Sequence, residues 1–128
     1  MKALVIDDNE MVRDFVAHCL RRAGHEAVTA GNGREGLARF ASGHFDLVIS
    51  DIFMPECDGL EVMKELRGRA PGTAVILMSG GAPSIDQDYL GIGARLGASA
   101  TLKKPFLPGE LLVAVDAALG CPAIRAVA

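Results

Sequence analysis

Short apolar runs recur along the chain, and each one stops at a polar residue or a turn. The first run, Ala3–Ile6, is continuous and rich in branched side chains, which is typical of a buried strand. Further runs of two to five residues, some of them more mixed, follow at intervals that leave room for a helix between them. The predicted strands are 3–6, 26–30, 47–50, 74–78 and 101–102.

Amphipathic segments separate these runs. Val12, Phe15, Val16, Cys19 and Leu20 have the i, i+3, i+4, i+7, i+8 spacing that predicts a helix with one buried face. The later segments repeat this spacing and begin or end at glycine, asparagine, aspartate or proline. The other predicted helices run from 33 to about 43, from an N-cap at Asp58 to about 71, from about 84 to 96, and from 108 to 119.

Five alternations of strand and helix predict an α/β fold, in which a parallel sheet carries helices on both faces and the crossovers are right-handed. The first, third and fourth strands are the most apolar, as expected for strands buried on both faces, whereas the second and fifth are more mixed and suit the edges. This favours the order 2-1-3-4-5. We therefore expect a doubly wound, flavodoxin-like (βα)5 three-layer sandwich with its switch point between the first and third strands.

Polar residues stand where the predicted strands end. Asp7 and Asp8 follow the first strand, Asp51 the third, Ser79 the fourth and Lys104 the fifth. In a parallel sheet the carboxyl ends of the strands lie along one edge, and ligands bind in the crevice outside them. We therefore expect these five side chains to converge on one site.

The residue types in this predicted site favour phosphoryl chemistry. Two carboxylates about 4 Å apart repel by about 4 kcal/mol at an effective dielectric near 20, so a cation must offset them. Lys104 is one candidate, and Mg²⁺, which prefers oxygen ligands and accompanies phosphoryl groups, is the other. Asp51 ends the central strand and is the best candidate nucleophile, because a carboxylate can form an aspartyl-phosphate. Lys104 and the Ser79 hydroxyl would stabilise charge on the transferring group.

Composition narrows the class of protein. The 128 residues suffice for one domain with one core, and half of them are hydrophobic, which excludes a disordered chain. A formal net charge of -3 without a basic cluster argues against direct nucleic-acid binding. We recognise neither a signal peptide nor a membrane span, and so expect a cytoplasmic protein. Three cysteines without CxxC spacing argue against a disulfide framework or a zinc site.

With these residues in place, the chain resembles the receiver domain of bacterial two-component response regulators from Lys2 to about Leu119. The resemblance implies a receiver domain over residues 1–120 and a C-terminal tail over 121–128. It rests on four segments, which are Val-Ile-Asp-Asp-Asn at 5–9, Asp-Ile-Phe-Met-Pro-Glu-Cys-Asp-Gly at 51–59, Met-Ser-Gly at 78–80 and Leu-Lys-Lys-Pro-Phe at 102–106.

The resemblance implies a role for each acidic residue of the site. Asp7 and Asp8 would hold Mg²⁺ directly or through water, and Asp51 would be the phosphoacceptor and a further metal ligand. The backbone carbonyl of Phe53 would complete the metal ligands supplied by the chain.

The resemblance also assigns the remaining polar residues of the site. Ser79 would be the switch hydroxyl, and Lys104 the phosphate-binding lysine, with a cis bond to Pro105. Two features depart from the family pattern. Thr101 stands where receivers commonly carry an aromatic residue, and the segment 79–97 is long and rich in glycine.

The function implied is that of a phosphorelay response regulator. It would take a phosphoryl group from a sensor histidine kinase or a histidine phosphotransfer protein and control a downstream protein target, without nucleic acid or membrane. It would catalyse only its own phosphorylation and dephosphorylation. The chain could act alone or be part of a larger regulator.

Two other functions remain open at this point. A Mg²⁺-dependent phosphatase with an aspartyl-phosphate intermediate would want an acid/base carboxylate two residues after the nucleophile, where this chain has Phe53. A flavodoxin-type cofactor module would want a hydroxyl-rich phosphate loop after the first strand, where Asp7 and Asp8 stand.

Overall fold

The structure of the protein, a computed structural model, describes residues 1–54, 57–80, 91–93 and 95–120. Its sheet has five parallel strands in the order β2-β1-β3-β4-β5, so the predicted α/β fold and strand order are confirmed. The strands are β1 (Lys2–Ile6), β2 (Glu26–Ala30), β3 (Leu47–Asp51), β4 (Ala74–Ser79) and β5 (Ala100–Lys103). The helices are α1 (Glu10–Arg22), α2 (Gly33–Ala41), α3 (Gly59–Arg69), the helical residues 91–93 and 95, labelled α4, and α5 (Pro108–Ala118).

Two segments of the prediction fall partly or wholly outside this description. Of the predicted fourth helix, residues 84–90 and 94 lie outside the described residues. The predicted tail, 121–128, lies outside them as well. Within the described part of the chain, every helix is too short or too polar to span a membrane.

Two apolar clusters cover the two faces of the sheet, and β1 contributes to both. Ala3 and Val5 pack with α1 and α5 on one face, whereas Leu4 and Ile6 pack with α2 and α3 on the other. All four side chains are fully buried. Successive side chains of a strand point to opposite faces, so a continuous apolar run is what a central strand between two helical layers requires.

The strand register aligns the ends of β1 and β3. Ile6 pairs with Ser50, so the residues that follow them, Asp7 and Asp51, emerge side by side at the carboxyl edge. The chain leaves β1 for one edge strand and β3 for the other side of the sheet, which makes the gap between them the switch point. The predicted crevice is therefore present at the predicted place.

Phe15 departs from the buried face predicted for α1. Val16 and Leu20 are fully buried, but Phe15 is 39% exposed. Its ring lies 6.0 Å from the ring of Phe106, at the rim of the layer formed by α1 and α5. Helical spacing identifies which face of a helix is buried, but the width of that face depends on the neighbouring helix.

Side-chain caps begin the two helices nearest the site. Asn9, the residue after Asp8, caps α1, because its side chain accepts hydrogen bonds from the backbone N–H groups of Met11 and Val12. Asp58, the predicted N-cap of α3, accepts a hydrogen bond from the N–H of Glu61 at 3.0 Å. These caps fix where the chain turns away from the sheet edge.

Gly59, the first residue of α3, packs against the backbone at the end of β3. A Cβ atom there would lie 2.5 Å from the carbonyl oxygen of Asp51 and 2.8 Å from the Cα of Ile52, and neither backbone atom can move without disturbing the strand. We expect Gly59→Ala to lower the free energy of unfolding by about 1–3 kcal/mol, measured by urea denaturation. Gly68→Ala is the control in the same helix, because a Cβ there meets nothing within 4 Å. That control should be neutral or up to about 1 kcal/mol more stable, and equal losses in both variants would contradict the packing argument.

Candidate functional site

Asp7 is held in a single orientation from several sides. Its Oδ1 accepts a hydrogen bond from the backbone N–H of Asn9, and its Oδ2 accepts one from Lys104 Nζ, both at 2.9 Å. Its own N–H donates to the carbonyl of Ala30, and its carbonyl accepts a hydrogen bond from Arg13 Nη1, both at 3.2 Å. The carboxylate is fully buried, so these contacts replace the water that it lacks.

Lys104 bridges the two buried carboxylates of the site. Its Nζ lies 2.9 Å from Asp7 Oδ2 and 3.4 Å from Asp51 Oδ1. The Lys104–Pro105 peptide bond is cis, as predicted, and the Lys104 N–H donates to the carbonyl of Ser79 at 2.7 Å. The lysine is therefore anchored at its backbone beside β4 while its side chain reaches back to β1 and β3.

Gly80 leaves room for the side chain of Lys104 to extend toward β1 and β3. A Cβ atom at Gly80 would lie 3.0 Å from the Cβ of Lys104 and 3.2 Å from its Cδ, a tighter approach than ordinary side-chain packing allows. A glycine after Ser79 therefore lets the lysine side chain lie directly over the end of β4.

The three carboxylates gather as predicted. Asp7, Asp8 and Asp51 each offer an oxygen atom, and these atoms all lie within 4.8 Å of one another. Asp7 and Asp51 are buried, whereas Asp8 is exposed. The donor set consists of oxygen alone and opens to solvent on one side, which suits a hard cation that keeps some of its water, such as Mg²⁺.

The surroundings of Asp51 disfavour its ionised form. Burial, with a further contribution from the negative charge of Asp7, raises the pKa of Asp51 to about 6, and the charge of Lys104 only partly offsets this. At neutral pH the carboxylate is still mostly ionised, by about ten to one. Asp51 is thus a poorly solvated anion, and any positively charged or electrophilic group that reaches it is favoured.

Lys104 carries its charge in this site. Burial alone would lower the pKa of Lys104, but its hydrogen bonds to Asp7 and Asp51 and their negative charges outweigh burial, so the pKa is raised. The ammonium group is therefore protonated at neutral pH and partly offsets the repulsion between the two buried carboxylates.

Ser79 ends β4 directly beside these groups. It is buried, and its register partner on β5 is Lys103, the residue before Lys104. Sequence analysis predicted that Ser79 and Lys104 would stand at adjacent strand ends, and the structure brings them together. Their assigned roles in switching and phosphate binding stay predictions.

Phe53 and Thr101 lie at the places that the sequence suggested. Phe53 stands in the loop after β3 and is 38% exposed, and the assignment of its carbonyl as a metal ligand stays a prediction. Thr101 pairs with Leu77 across the sheet and its side chain is exposed on β5.

Sequence analysis missed two residues that support the site. Arg13 donates to the carbonyl of Asp7, and the Ser50 hydroxyl donates to the carbonyl of Asp51 at 3.0 Å within the buried strand. Both left a signal in the sequence. Arg13 follows the cap residue Asn9 by four positions, on the same face of α1, and Ser50 is a polar residue inside an otherwise apolar run.

Comparison with known proteins agrees with this geometry. The family model described as the response regulator receiver domain matches residues 3–116. The chemotaxis protein CheY4 of Vibrio cholerae is 35% identical with a TM-score of 0.80, over 91% of this chain and 97% of that one. The receiver domain of NtrX from Brucella abortus is 31% identical with a TM-score of 0.85, over 92% of this chain and 98% of that one.

Longer regulatory proteins also match. The alkaline phosphatase synthesis transcriptional regulatory protein PhoP of Bacillus subtilis is 32% identical over 118 residues, which are 92% of this chain and 48% of that protein. The sensory transduction protein RegX3 of Mycolicibacterium smegmatis is 34% identical over 116 residues, 91% of this chain and 49% of that protein. The chain thus spans about half the length of these two relatives.

Proposed function

This chain belongs to the response regulator receiver domain family, and we propose that it accepts a phosphoryl group from a phosphohistidine onto Asp51 and thereby switches a downstream protein. The observation that carries the proposal is the surroundings of Asp51. A buried carboxylate with a raised pKa lies beside two further carboxylates and 3.4 Å from a lysine ammonium.

In the proposed reaction, a carboxylate oxygen of Asp51 attacks the phosphorus atom of the donor. The O–P bond forms while the P–N bond breaks, and the imidazole nitrogen of the donor leaves with the electron pair. Burial of Asp51 supports this role, because a poorly solvated anion has little water to shed before it attacks. The site need do little more than position the groups and balance their charge.

Lys104 would stabilise the charge that the phosphoryl oxygens bring. Its ammonium already lies between Asp7 and Asp51, so a phosphoryl group attached to Asp51 comes within reach of a hydrogen-bond donor that is in place beforehand. The hydrogen bond from its backbone N–H to the carbonyl of Ser79 supports its position.

The acidic cluster would hold Mg²⁺ through Asp7, Asp8 and Asp51, with the carbonyl of Phe53 as a further ligand. When bound, Mg²⁺ supplies positive charge that offsets the carboxylates and the transferring phosphoryl oxygens. The exposed carboxylate of Asp8 supports this, since among the described residues it makes no hydrogen bond or ion pair and can turn toward an ion without breaking one.

Ser79 would act after transfer. The phosphoryl group adds a charge close to -2, and the buried hydroxyl of Ser79 can donate to it, which shifts the chain that follows β4. The donor would be a sensor histidine kinase or a histidine phosphotransfer protein, and the output a downstream protein target. A cytoplasmic location and the absence of direct nucleic-acid contact are parts of this proposal.

The phosphatase alternative is not favoured. Phe53 stands two residues after Asp51 and cannot act as acid or base, so the aspartyl-phosphate should be lost slowly and without turnover of other substrates. We therefore propose that the chain catalyses only its own phosphorylation and dephosphorylation. Residues 1–120 would form this receiver domain, with 121–128 as a tail.

The test is incubation of the chain with Mg²⁺ and phosphoramidate, a small donor with a P–N bond. We expect the intact protein to gain the mass of one phosphoryl group, at one group per chain. No gain is expected when Mg²⁺ is chelated before the donor is added. Repeated turnover of an aryl phosphate ester under Mg²⁺ would instead favour the phosphatase.

The affinity for Mg²⁺ should depend on pH through Asp51. Since the pKa of Asp51 is raised to about 6, a proton competes with the ion below that pH. We expect the affinity to be nearly constant from about pH 7 to about pH 8 and to fall by up to about tenfold for each unit below pH 6, measured by calorimetric titration. The Asp51→Asn variant should bind more weakly and lack this step, and a wild-type affinity that stays constant down to pH 5 would contradict the prediction.

A further inference from the structure

Arg67, in the last turn of α3, donates hydrogen bonds to three backbone carbonyls in two separate parts of the chain. Its Nη1 donates to the carbonyl of Pro71 at 2.6 Å, and its Nη2 donates to those of Thr73 at 2.9 Å and Gly97 at 3.0 Å. The first two lie between α3 and β4. Gly97 lies 30 residues after Arg67, between α4 and β5, so one side chain joins the two connections.

The guanidinium group is closely enclosed. Gly97 has a φ of 105°, and a Cβ atom there would lie 3.1 Å from Arg67 Nε, so only glycine both adopts this turn and admits the arginine. Arg67 Nε is buried and has no hydrogen-bond partner among the described residues. The partly desolvated guanidinium group is therefore hydrogen-bonded to three carbonyls. Charge-assisted hydrogen bonds of this kind are stronger than neutral ones.

The turn that Arg67 holds also closes α4. The N–H of Leu96 donates to the carbonyl of Ile92, and the N–H of Ala98 donates to that of Gly93, both at 3.0 Å. These two hydrogen bonds exist only while the turn keeps its shape. They therefore report directly on whether the turn is held.

Gly93 provides a second point of attachment. A Cβ atom there would lie 2.3 Å from Cδ1 of Leu77, so the helical turn rests against a core side chain of β4 with no space between them. Contact with the sheet at Gly93 and hydrogen bonding to Arg67 at Gly97 hold the carboxyl end of α4 from two directions.

We propose that Arg67 is a tether that fixes the turn formed by residues 96–99 to α3, so that a conformational change started at Asp51 and Ser79 stops before this turn. The second half of this statement rests on the proposed phosphoryl switch. The segment between Ser79 and this turn is fixed at the turn, so it can move only at its other end. The tether thereby directs the conformational change to the part of the chain that follows Ser79. Arg67 is a positioning residue, remote from the reacting atoms.

The test compares two arginines in the same turn of α3. Arg67→Gln removes the tether, whereas Arg69→Gln removes the same charge from a side chain that pairs with Glu65 at 3.3 Å, where both partners are about half exposed. Arg67→Lys keeps the charge but not the planar fork, and it serves as the second variant if the glutamine variant does not fold.

The first measurement is amide hydrogen exchange without any activator. In Arg67→Gln we expect the amides of Leu96 and Ala98 to exchange about tenfold faster than in the wild type, while Ser99, bonded to β4, is unchanged. Arg67→Lys should be intermediate, and Arg69→Gln should stay within about twofold of the wild type. Unchanged exchange in Arg67→Gln, or equal acceleration in Arg69→Gln, would overturn the tether.

The second measurement adds Mg²⁺ and beryllium fluoride, a mimic of the phosphoryl group. In the wild type, exchange at Leu96 and Ala98 should change by less than about twofold, whereas in Arg67→Gln it should change by about tenfold. A wild-type response at these amides as large as that of the variant would overturn the inference. If the wild type fails to bind the mimic, the proposed function is wrong, and the first measurement still decides whether Arg67 is a tether.

Discussion

We expect Asp51→Asn to abolish the proposed Mg²⁺-dependent gain of a phosphoryl group, with no modified protein at any donor concentration. The amide has no anionic oxygen with which to attack phosphorus, and its neutral side chain removes one of the three carboxylates that surround the proposed metal. The measurement is intact-protein mass spectrometry after incubation with Mg²⁺ and phosphoramidate.

Asp58→Asn is the matched control for this prediction. Asp58 lies in the connection that follows Asp51, and it caps α3 through its hydrogen bond from Glu61. Asparagine caps a helix as well as aspartate does. This control should be modified like the wild type. A phosphoryl group on the Asp51→Asn variant, or its absence from Asp58→Asn, would refute the assignment of the acceptor.

The same Asp51→Asn variant should be more stable than the wild type without Mg²⁺. The folded-state pKa of Asp51, about 6, lies above the ordinary value of 3.8, so the folded chain binds the proton more tightly than the unfolded chain. The stability contributed by protonated Asp51 is full below the ordinary value and is lost as the pH rises through about 6. Allowing for residual solvent screening, the variant should gain about 1–2 kcal/mol at neutral pH, and the gain should vanish near pH 4, as measured by urea denaturation.

Lys104→Met should lower the free energy of unfolding by about 3 kcal/mol at neutral pH without Mg²⁺, because it leaves two buried carboxylates without their cation. Methionine retains most of the aliphatic volume, so the loss reports the charge. The effect is limited because Asp51 can take up a proton. Addition of Mg²⁺ should restore more stability to this variant than it adds to the wild type, since the ion no longer competes with the ammonium group.

Lys103→Met is the control for Lys104. Lys103 precedes it in the sequence, but its side chain is exposed on β5, and a surface substitution of this kind changes stability by no more than about 0.5 kcal/mol. The two variants are compared by urea denaturation with and without Mg²⁺. Equal losses would show that Lys104 does not offset the carboxylates.

The site could be anticipated from the sequence because its residues occupy strand ends. Asp7 and Asp51 each follow a continuous apolar run, and the parallel topology, itself readable from the alternation of strands and helices, brings such ends to one edge. The alignment of Ile6 with Ser50, which sets the two carboxylates side by side, follows from backbone pairing. Sequence patterns do not encode that register, but the order of the strands was enough to infer proximity.

Contacts that depend on side-chain reach could not be predicted. Arg13 binds the backbone carbonyl of Asp7 and Arg67 binds that of Gly97, and any exposed face of a helix offers similar arginines. The partial exposure of Phe15 likewise depends on how α5 lies against α1. Such features follow from the relative placement of helices, which hydrophobic spacing alone leaves undetermined.

The bridge formed by Lys104 has a consequence for the dependence of folding on the proposed magnesium ion. Because an ammonium group from the chain itself already lies between Asp7 and Asp51, the polypeptide can adopt its native structure in the absence of a divalent ion. This sets it apart from small metalloproteins that unravel when a chelator is added. Changes in the concentration of free magnesium would then alter how readily Asp51 accepts the proposed phosphoryl group, and leave the amount of folded protein unchanged.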